Sequence, residues 1–214
     1  MVINLTENNS LILHYLTQIR DKEIQKDSLR FRKNLFRVAQ IMAYEISKTL
    51  VYIDKKIETP LTSHVSKVIE NPPVIGSILR AGLALHEGFI DFFDESESAF
   101  VSAYRKHSTP EDFEVIVEYM ASPNLDNRTF IIVDPMLATG KSLYLAYKAF
   151  CKHGTPSKVI FTCLIASKQG IEYIQKLIPE AIIYVADIDN ELNENSYIVP
   201  GLGDAGDLAF GIKL

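Results

Sequence analysis

Residues 130–150, FIIVDPMLATGKSLYLAYKAF, place an acid, a run of small residues and two hydroxyls in an order that suits anion binding. The apolar run 130–133 reads as a buried parallel strand. It ends on Asp134. Pro135, Met136 and Leu137 lead into a turn of Ala138, Thr139, Gly140, Lys141 and Ser142. Leu143, Ala146, Tyr147 and Phe150 then recur at helical spacing. In such a strand–acid–loop–helix unit, the loop N–H groups and the positive end of the helix dipole converge on one point, where an anion is stabilised. Thr139 and Ser142 add hydroxyl donors, and Asp134 stands about where the ribose hydroxyls of a sugar phosphate would lie. The same residues also suit an ordinary βα turn with a capping serine. A Walker A loop is excluded, because position 135 is proline where that loop needs its first glycine.

Other chemistry-bearing residues fall at comparable places. Residues 74–79 read as a short strand running into Arg80, Ala81 and Gly82, with a helical pattern over 83–93. An arginine at a strand tip suits a bidentate grip on phosphate, or pairing with a carboxylate at the surface. Residues 100–104 read as a strand followed by Arg105, and residues 101–120 as a β-hairpin or flap. Residues 197–207, YIVPGLGDAGD, put three glycines, a proline and two acids in eleven positions, a loop that lets backbone groups approach a ligand closely. The histidines at 14, 64, 86, 107 and 153 show no ligand spacing, and no serine, cysteine and histidine arrangement offers a covalent nucleophile. Cys151 and Cys163 lack metal spacing and read as buried free thiols in a reducing compartment.

The elements that must position these residues follow from periodicity and caps. Asn9 or Ser10 caps a helix to about residue 20, a charged break covers 20–26, and Asp27 caps a longer helix whose apolar positions include Phe31, Leu35, Val38 and Met42. Arg30, Arg32, Lys33 and Arg37 on that helix read as a solvated face. Further strands are expected at 159–165 and 182–186, the latter ending on Asp187 and Asp189. A helix capped by Ser167 runs between them to about 177. Strands alternate with helices from residue 74 onward, which gives an α/β fold with a mostly parallel, doubly wound sheet flanked by helices. Ligands of such sheets bind beyond the carboxyl ends of the strands, where Arg80, Arg105, Asp134 and Asp189 fall. The 214 residues are read as one domain, with an N-terminal helical part at 1–70 and an α/β core with the C-terminal loop at 71–214. A net charge of −5 argues against a broad nucleic-acid surface, and no apolar run has spanning length. Lacking a leader pattern as well, the chain is expected to be cytoplasmic, with no membrane partner.

With both unusual stretches in view, the chain resembles the uracil phosphoribosyltransferases, of the type I phosphoribosyltransferase fold. The matching strings are ILRAGL (78–83), YR (104–105), VDPMLATG (133–140), DID (187–189), LNE (192–194) and YIVPGLGDAGD (197–207), and the helix at 27–45 is similar too. The resemblance implies transfer of the 5-phosphoribosyl group from phosphoribosyl pyrophosphate (PRPP) to uracil, giving UMP and pyrophosphate, with Mg²⁺ held mainly by PRPP and water. It implies that Arg80, Arg105, residues 134–142 and Asp204 hold PRPP, that Ile198, Gly203, Asp204 and Ala205 read uracil through the backbone, and that Asp134, Arg105 and Asp204 act by positioning and electrostatics. Family members are homodimers or larger homo-oligomers, and some respond to GTP. Three positions depart from the family's habit: Lys141 stands for glycine, Ser77 for proline and Leu208 for arginine. A second reading is a catalytically weak homologue that binds nucleotides or RNA and regulates.

Overall fold

A computed structural model describes residues 1–107 and 113–213, with the backbone alone for residues 103–107 and 113–118. A short strand β1 (Val2–Asn4) opens the chain. Helix α1 (Leu11–Arg20) begins at Ser10, whose hydroxyl accepts from the Ile12 N–H. Helix α2 (Ser28–Ser47) begins at Asp27, whose carboxylate accepts from the Arg30 N–H at 3.0 Å. Both caps satisfy donors that a helix start leaves unpaired. The apolar stripe of α2, from Phe31 through Leu35, Val38 and Met42 to Ile46, is fully buried.

The expectation of a helical part over 1–70 is corrected in two places. Strand β1 precedes the helices, and β2 (Tyr52–Glu58) pairs antiparallel with β3 (Ser63–Ile69) in a separate two-stranded hairpin. Every residue of β2 is exposed. A strand wet on both faces carries no period-two signal to read.

The core begins at β4 (Val74–Leu79), after Pro72 and Pro73, and continues through α3 (Leu83–Phe92), β5 (Glu97–His107), β6 (Phe113–Ala121), β7 (Thr129–Leu137) and α4 (Lys141–Phe150). It proceeds through β8 (Lys158–Ser167), α5 (Lys168–Leu177) and β9 (Ile182–Asp189). Two short strands, β10 (Glu191–Leu192) and β11 (Ile198–Val199), and helix α6 (Ala205–Phe210) finish it. Seven strands form one sheet in the order β1-β9-β8-β7-β4-β5-β6, parallel throughout except that β6 returns antiparallel along β5. The expected hairpin at 101–120 is thus present in the backbone, with a register shift at Ser102/Ala103, while its turn lies outside the described residues.

Side chains of β7 alternate between two cores, as a pleated strand requires. Ile131 and Val133 join the cluster under α1, α2 and α3, whereas Phe130 and Ile132 join the cluster under α4 and α5. Helix α3, which follows β4, therefore lies on one face and α4, which follows β7, on the other. The adjacent strands β4 and β7 mark the place where the winding reverses, and loops that leave a reversal point in opposite directions hold a crevice between them. The strand pairing shows the opening directly. β7 pairs with β4 only as far as Val133, but with β8 as far as Leu137. Residues 134–137, expected to follow the strand, are its one-sided continuation. Among the described residues, no helix is long and apolar enough to cross a membrane.

One buried group ties this core to pH. His86 of α3 is 3% exposed, with Nε2 2.9 Å from the Ser98 hydroxyl, Nδ1 without a partner and the ring 4.7 Å from Phe100. Burial pushes its pKa from 6.5 down to about 4. The unfolded chain takes up this proton below pH 6.5 and the folded chain resists it to about pH 4, so stability is complete above that window and declines as pH falls through it. The loss attributable to this one group is roughly 3 kcal/mol. Urea unfolding at pH 7, 5.5 and 4.5 should show a shallower decline for His86→Gln than for the parent chain; parallel declines would remove His86 as the cause.

Candidate active site

The helix starts distinguish the crevice between β4 and β7. Helices α1, α2, α5 and α6 begin at Ser10, Asp27, Ser167 and Asp204, each accepting from a backbone N–H one to three residues into its helix. Helices α3 and α4 begin at Gly82 and Gly140 with no side-chain cap. These two are the helices that flank the crevice. With no side-chain acceptor, the first N–H groups of these two helices are left for an anion or solvent. Gly140 has φ +80°, and a Cβ there would meet Tyr173 at 2.9 Å and the Gly170 carbonyl at 3.1 Å, so only glycine fits.

The loop before α4 is held from beneath. The Ser167 hydroxyl donates to the Ala138 carbonyl at 2.6 Å while accepting from the Gly170 N–H at 2.9 Å, joining the loop to the start of α5. Pro135, Leu137 and Gly140 are buried, Met136, Ala138, Thr139 and Ser142 half-buried, and Lys141 exposed. The Thr139 hydroxyl oxygen is buried and has no hydrogen-bond partner, an unsatisfied donor inside a loop that the sequence marks for anions. Asp134 is half-buried on the one-sided stretch of β7, and the Met136 N–H approaches its carboxylate at 3.4 Å. Beside it in the sheet, burial and then the Asp134 charge push the Cys163 thiol well above its ordinary pKa. That thiol stays protonated and is no nucleophile. Cys163 is fully buried as expected; Cys151 is only half-buried, which corrects the expectation for it.

Arg80 leaves β4 toward the glycine-rich C-terminal loop. Its guanidinium lies 3.1 Å from the Asp207 carboxylate and donates to the Gly211 carbonyl at 3.1 Å. The structure thus realises the carboxylate pairing that the sequence left open for this arginine, and brings strand β4 and the YIVPGLGDAGD segment together. The peptides Leu79–Arg80 and Val199–Pro200 are cis. The Arg105 backbone pairs with Val115 in β5–β6; its side chain lies outside the described residues.

The C-terminal loop is fixed at several points. Ile198 is buried and pairs with Leu192. Gly203 is exposed with φ +92°, Ala205 is buried, and Asp204 caps α6 through the Asp207 N–H at 3.0 Å while Lys213 approaches it at 3.4 Å. Arg32 of α2 donates to the Ala209 carbonyl at 2.6 Å. Leu208 is half-buried against the core, which accounts for an apolar residue there. Ser77 is fully buried and its hydroxyl has no partner.

Sequence reasoning missed Arg20 as a member of this region. It was read as the start of a charged break, yet its guanidinium forms a fork with Asp189 at 2.8 and 2.9 Å and meets Asp187 at 2.9 Å. Burial alone would lower its pKa, and Asp189 and then Asp187 hold it raised instead. These partners are 167 and 169 residues away in the chain, so no local pattern could have paired them.

Comparison with known proteins gives a consistent result. The family described as Uracil phosphoribosyltransferase matches residues 6–212. The uracil phosphoribosyltransferase of Porphyromonas gingivalis is 47% identical over 214 residues, covering 100% of this chain and 99% of that protein. That of Pyrococcus furiosus is 39% identical over 208 residues, covering 96% and 88%. Among solved structures, the AQ2163 protein from Aquifex aeolicus aligns over 100% of both chains with a TM-score of 0.89 and 29% identity. A hypoxanthine phosphoribosyltransferase from Staphylococcus aureus aligns over 75% of this chain and 76% of that one with a TM-score of 0.51 at 12% identity, and shares the fold.

The orphaned Thr139 hydroxyl makes a separable expectation. Removing an unsatisfied buried hydroxyl costs the ligand-free fold little. Thr139→Val should leave the Tm unchanged or slightly higher, while binding of pyrophosphate or PRPP, followed by calorimetry, weakens about five- to tenfold. A lowered Tm with unchanged anion binding would mean that the hydroxyl serves the fold.

Proposed function

The chain belongs to the uracil phosphoribosyltransferase family, and on that premise we propose that it is the pyrimidine-salvage enzyme that joins uracil to the phosphoribosyl group of PRPP, releasing pyrophosphate and forming UMP. The observation that carries the reading is the crevice between β4 and β7: its two flanking helix starts have no side-chain cap, the loop before α4 holds an unsatisfied threonine hydroxyl, and Arg80 at the tip of β4 is bound to Asp207 of the glycine-rich C-terminal segment. We assign the 5-phosphate to residues 138–142, the ribose hydroxyls to Asp134, the pyrophosphate to Arg80 and Arg105, and the base to Ile198, Gly203, Asp204 and Ala205.

The reaction breaks the bond between the ribose C1 and the pyrophosphate while the uracil nitrogen closes on C1 and gives up its proton to water. Positive charge grows on the ribose ring and negative charge on the leaving group. What this demands of the protein is cations at the leaving group and firm placement of both partners, the latter worth up to roughly 7–11 kcal/mol. Arg80 supplies one cation by exchanging Asp207 for a phosphate oxygen, and Asp134 fixes the ribose and faces the growing positive charge. Backbone readout of uracil excludes cytosine, whose amino group presents a donor where uracil presents an acceptor. Among the described residues, no group of three His, Cys, Asp or Glu gathers to hold a metal. We assign Mg²⁺ to PRPP and water, from which it would supply charge neutralisation at the leaving pyrophosphate beside Arg80 and Arg105. Two free cysteines support a cytoplasmic setting.

We further assign a homodimeric or larger state, for which the β2–β3 hairpin is the support. An isolated two-stranded hairpin is marginal in water. This one exposes Ile53 at 43% and Ile57 at 38% on one face and Leu61 at 96% in its turn, a surface suited to burial against a second copy.

Two outcomes check these assignments. Asp134→Asn should cut turnover of uracil and PRPP by roughly a hundredfold or more with the fold intact, because the acid acts on developing charge; parent-level turnover would sink its assigned role. Substituting serine for Ile53, Ile57 and Leu61 together should weaken self-association about a hundredfold by sedimentation, through lost apolar burial. An unchanged sedimentation coefficient would clear the hairpin of that role.

A further inference from the structure

The C-terminal end of α1 and the turn after it grip the base loop from below. Arg20 Nη1 donates to the Gly201 carbonyl at 2.8 Å and to Asp189 Oδ2 at 2.8 Å. The same Asp189 oxygen accepts from the Gly201 N–H at 2.9 Å. Arg20 Nη2 reaches Asp189 Oδ1 and Asp187 Oδ2, both at 2.9 Å. Asp187 is in turn held by the Thr6 hydroxyl at 3.0 Å and the Ile188 N–H at 2.9 Å. The network is largely out of water: the Arg20 side chain is 19% exposed and that of Asp189 is 6%. One residue further along the loop, the Gln25 amide, with its nitrogen turned toward the loop, donates to the Leu202 carbonyl at 2.8 Å and to the Ile19 carbonyl at 3.2 Å.

Both backbone groups of Gly201 are thus engaged by the Arg20–Asp189 pair, at the middle of the segment from Ile198 to Ala205. Gly201 has φ +58°, and a Cβ there would collide with the Ile198 carbonyl, so the loop doubles back tightly at this point. A loop that reads its ligand through backbone donors and acceptors is only as selective as its backbone is fixed. Arginine suits the task because its planar fork can hold two carboxylates and a carbonyl at once, where lysine is a point charge.

We infer that Arg20 is a positioning residue for the uracil site: its guanidinium, with Asp189, sets where residues 198–205 stand by holding Gly201, and acts on the base only through that loop. This rests on the base assignment made above. It separates the two halves of the site, since the groups assigned to PRPP lie on other elements: Arg80 after β4, Arg105 on β5, Asp134 on β7 and residues 138–142 at the start of α4. Loss of Arg20 therefore acts on uracil and spares PRPP. Gln25 has the same role in weaker form at Leu202.

The test is steady-state kinetics with each substrate varied, together with hydrogen exchange of the ligand-free protein. For Arg20→Gln, the uracil KM should rise about tenfold, the equivalent of one lost charge-assisted contact, with the PRPP KM within about twofold of the parent. Amides of residues 198–206 should exchange faster, with those of 139–143 unchanged. Arg20→Lys should restore thermal stability more than it restores the uracil KM. A merely structural arginine would lower the Tm and the active fraction with both KM values unchanged, and that pattern overturns the inference, as does equal loss for both substrates. Where Arg20→Gln fails to fold, Gln25→Ala decides: a uracil KM raised about threefold supports the clamp, and an unchanged one overturns it. A parent chain that turns over no uracil refutes the functional reading instead, and the exchange rates of 198–206 then decide the role of Arg20 by themselves.

Discussion

The site depends on the parting of two neighbouring strands. β4 and β7 pair through Ser77 and Val133 and then separate, while β7 stays bonded to β8 for four more residues. The separation coincides with the reversal of winding, so that α3 departs to one face and α4 to the other. Apart from Arg105 on β5, what is assigned to PRPP follows from that opening: Arg80 at the tip of one strand, Asp134 past the last β4 partner of the other, and the two helix starts beside the gap. Ligand-free helix starts are elsewhere in this chain satisfied by Ser10, Asp27, Ser167 and Asp204. Leaving α3 and α4 with glycine in place of such caps forgoes roughly a few tenths of a kcal/mol each in the empty protein, a small cost consistent with donors kept for a ligand.

The second half of the site is built on a different principle. The base loop follows short strands and glycine turns and has little regular structure of its own, so its shape depends on groups that grip it from outside. Arg20 and Asp189 engage Gly201, Arg32 engages Ala209, and Arg80 engages Asp207 and Gly211. The last contact links the two halves, since a guanidinium that pairs with Asp207 in the empty protein is the one assigned to pyrophosphate. PRPP and the end of the C-terminal segment compete for Arg80 at Asp207 and Gly211, beyond the 198–205 stretch that Arg20 fixes.

Much of the core was legible because its signals are local. Short apolar runs marked β4, β7, β8 and β9, and Ser10, Asp27 and Ser167 announced their helices by residue type alone. The strings around Asp134 and the GLGDAGD loop carried the family and the reaction. What was hidden depends on distance or on an absent signal. β1 is three residues long and exists through pairing with β9. The β2–β3 hairpin has two wet faces, so its sequence lacks alternation. Strand β7 extends past its acid because β8 supports it, which no reading of residues 130–137 alone would reveal. Arg20 looked like part of a charged turn because its carboxylates lie at the other end of the chain.

The most direct test of the account is amide hydrogen exchange with and without PRPP. If the crevice between β4 and β7 holds the donor, adding PRPP protects residues 82–86 and 139–143 together, with β8 and α5 little changed. Protection confined to other segments, or none at saturating PRPP, would contradict the assignment of these two helix starts to the donor's phosphates.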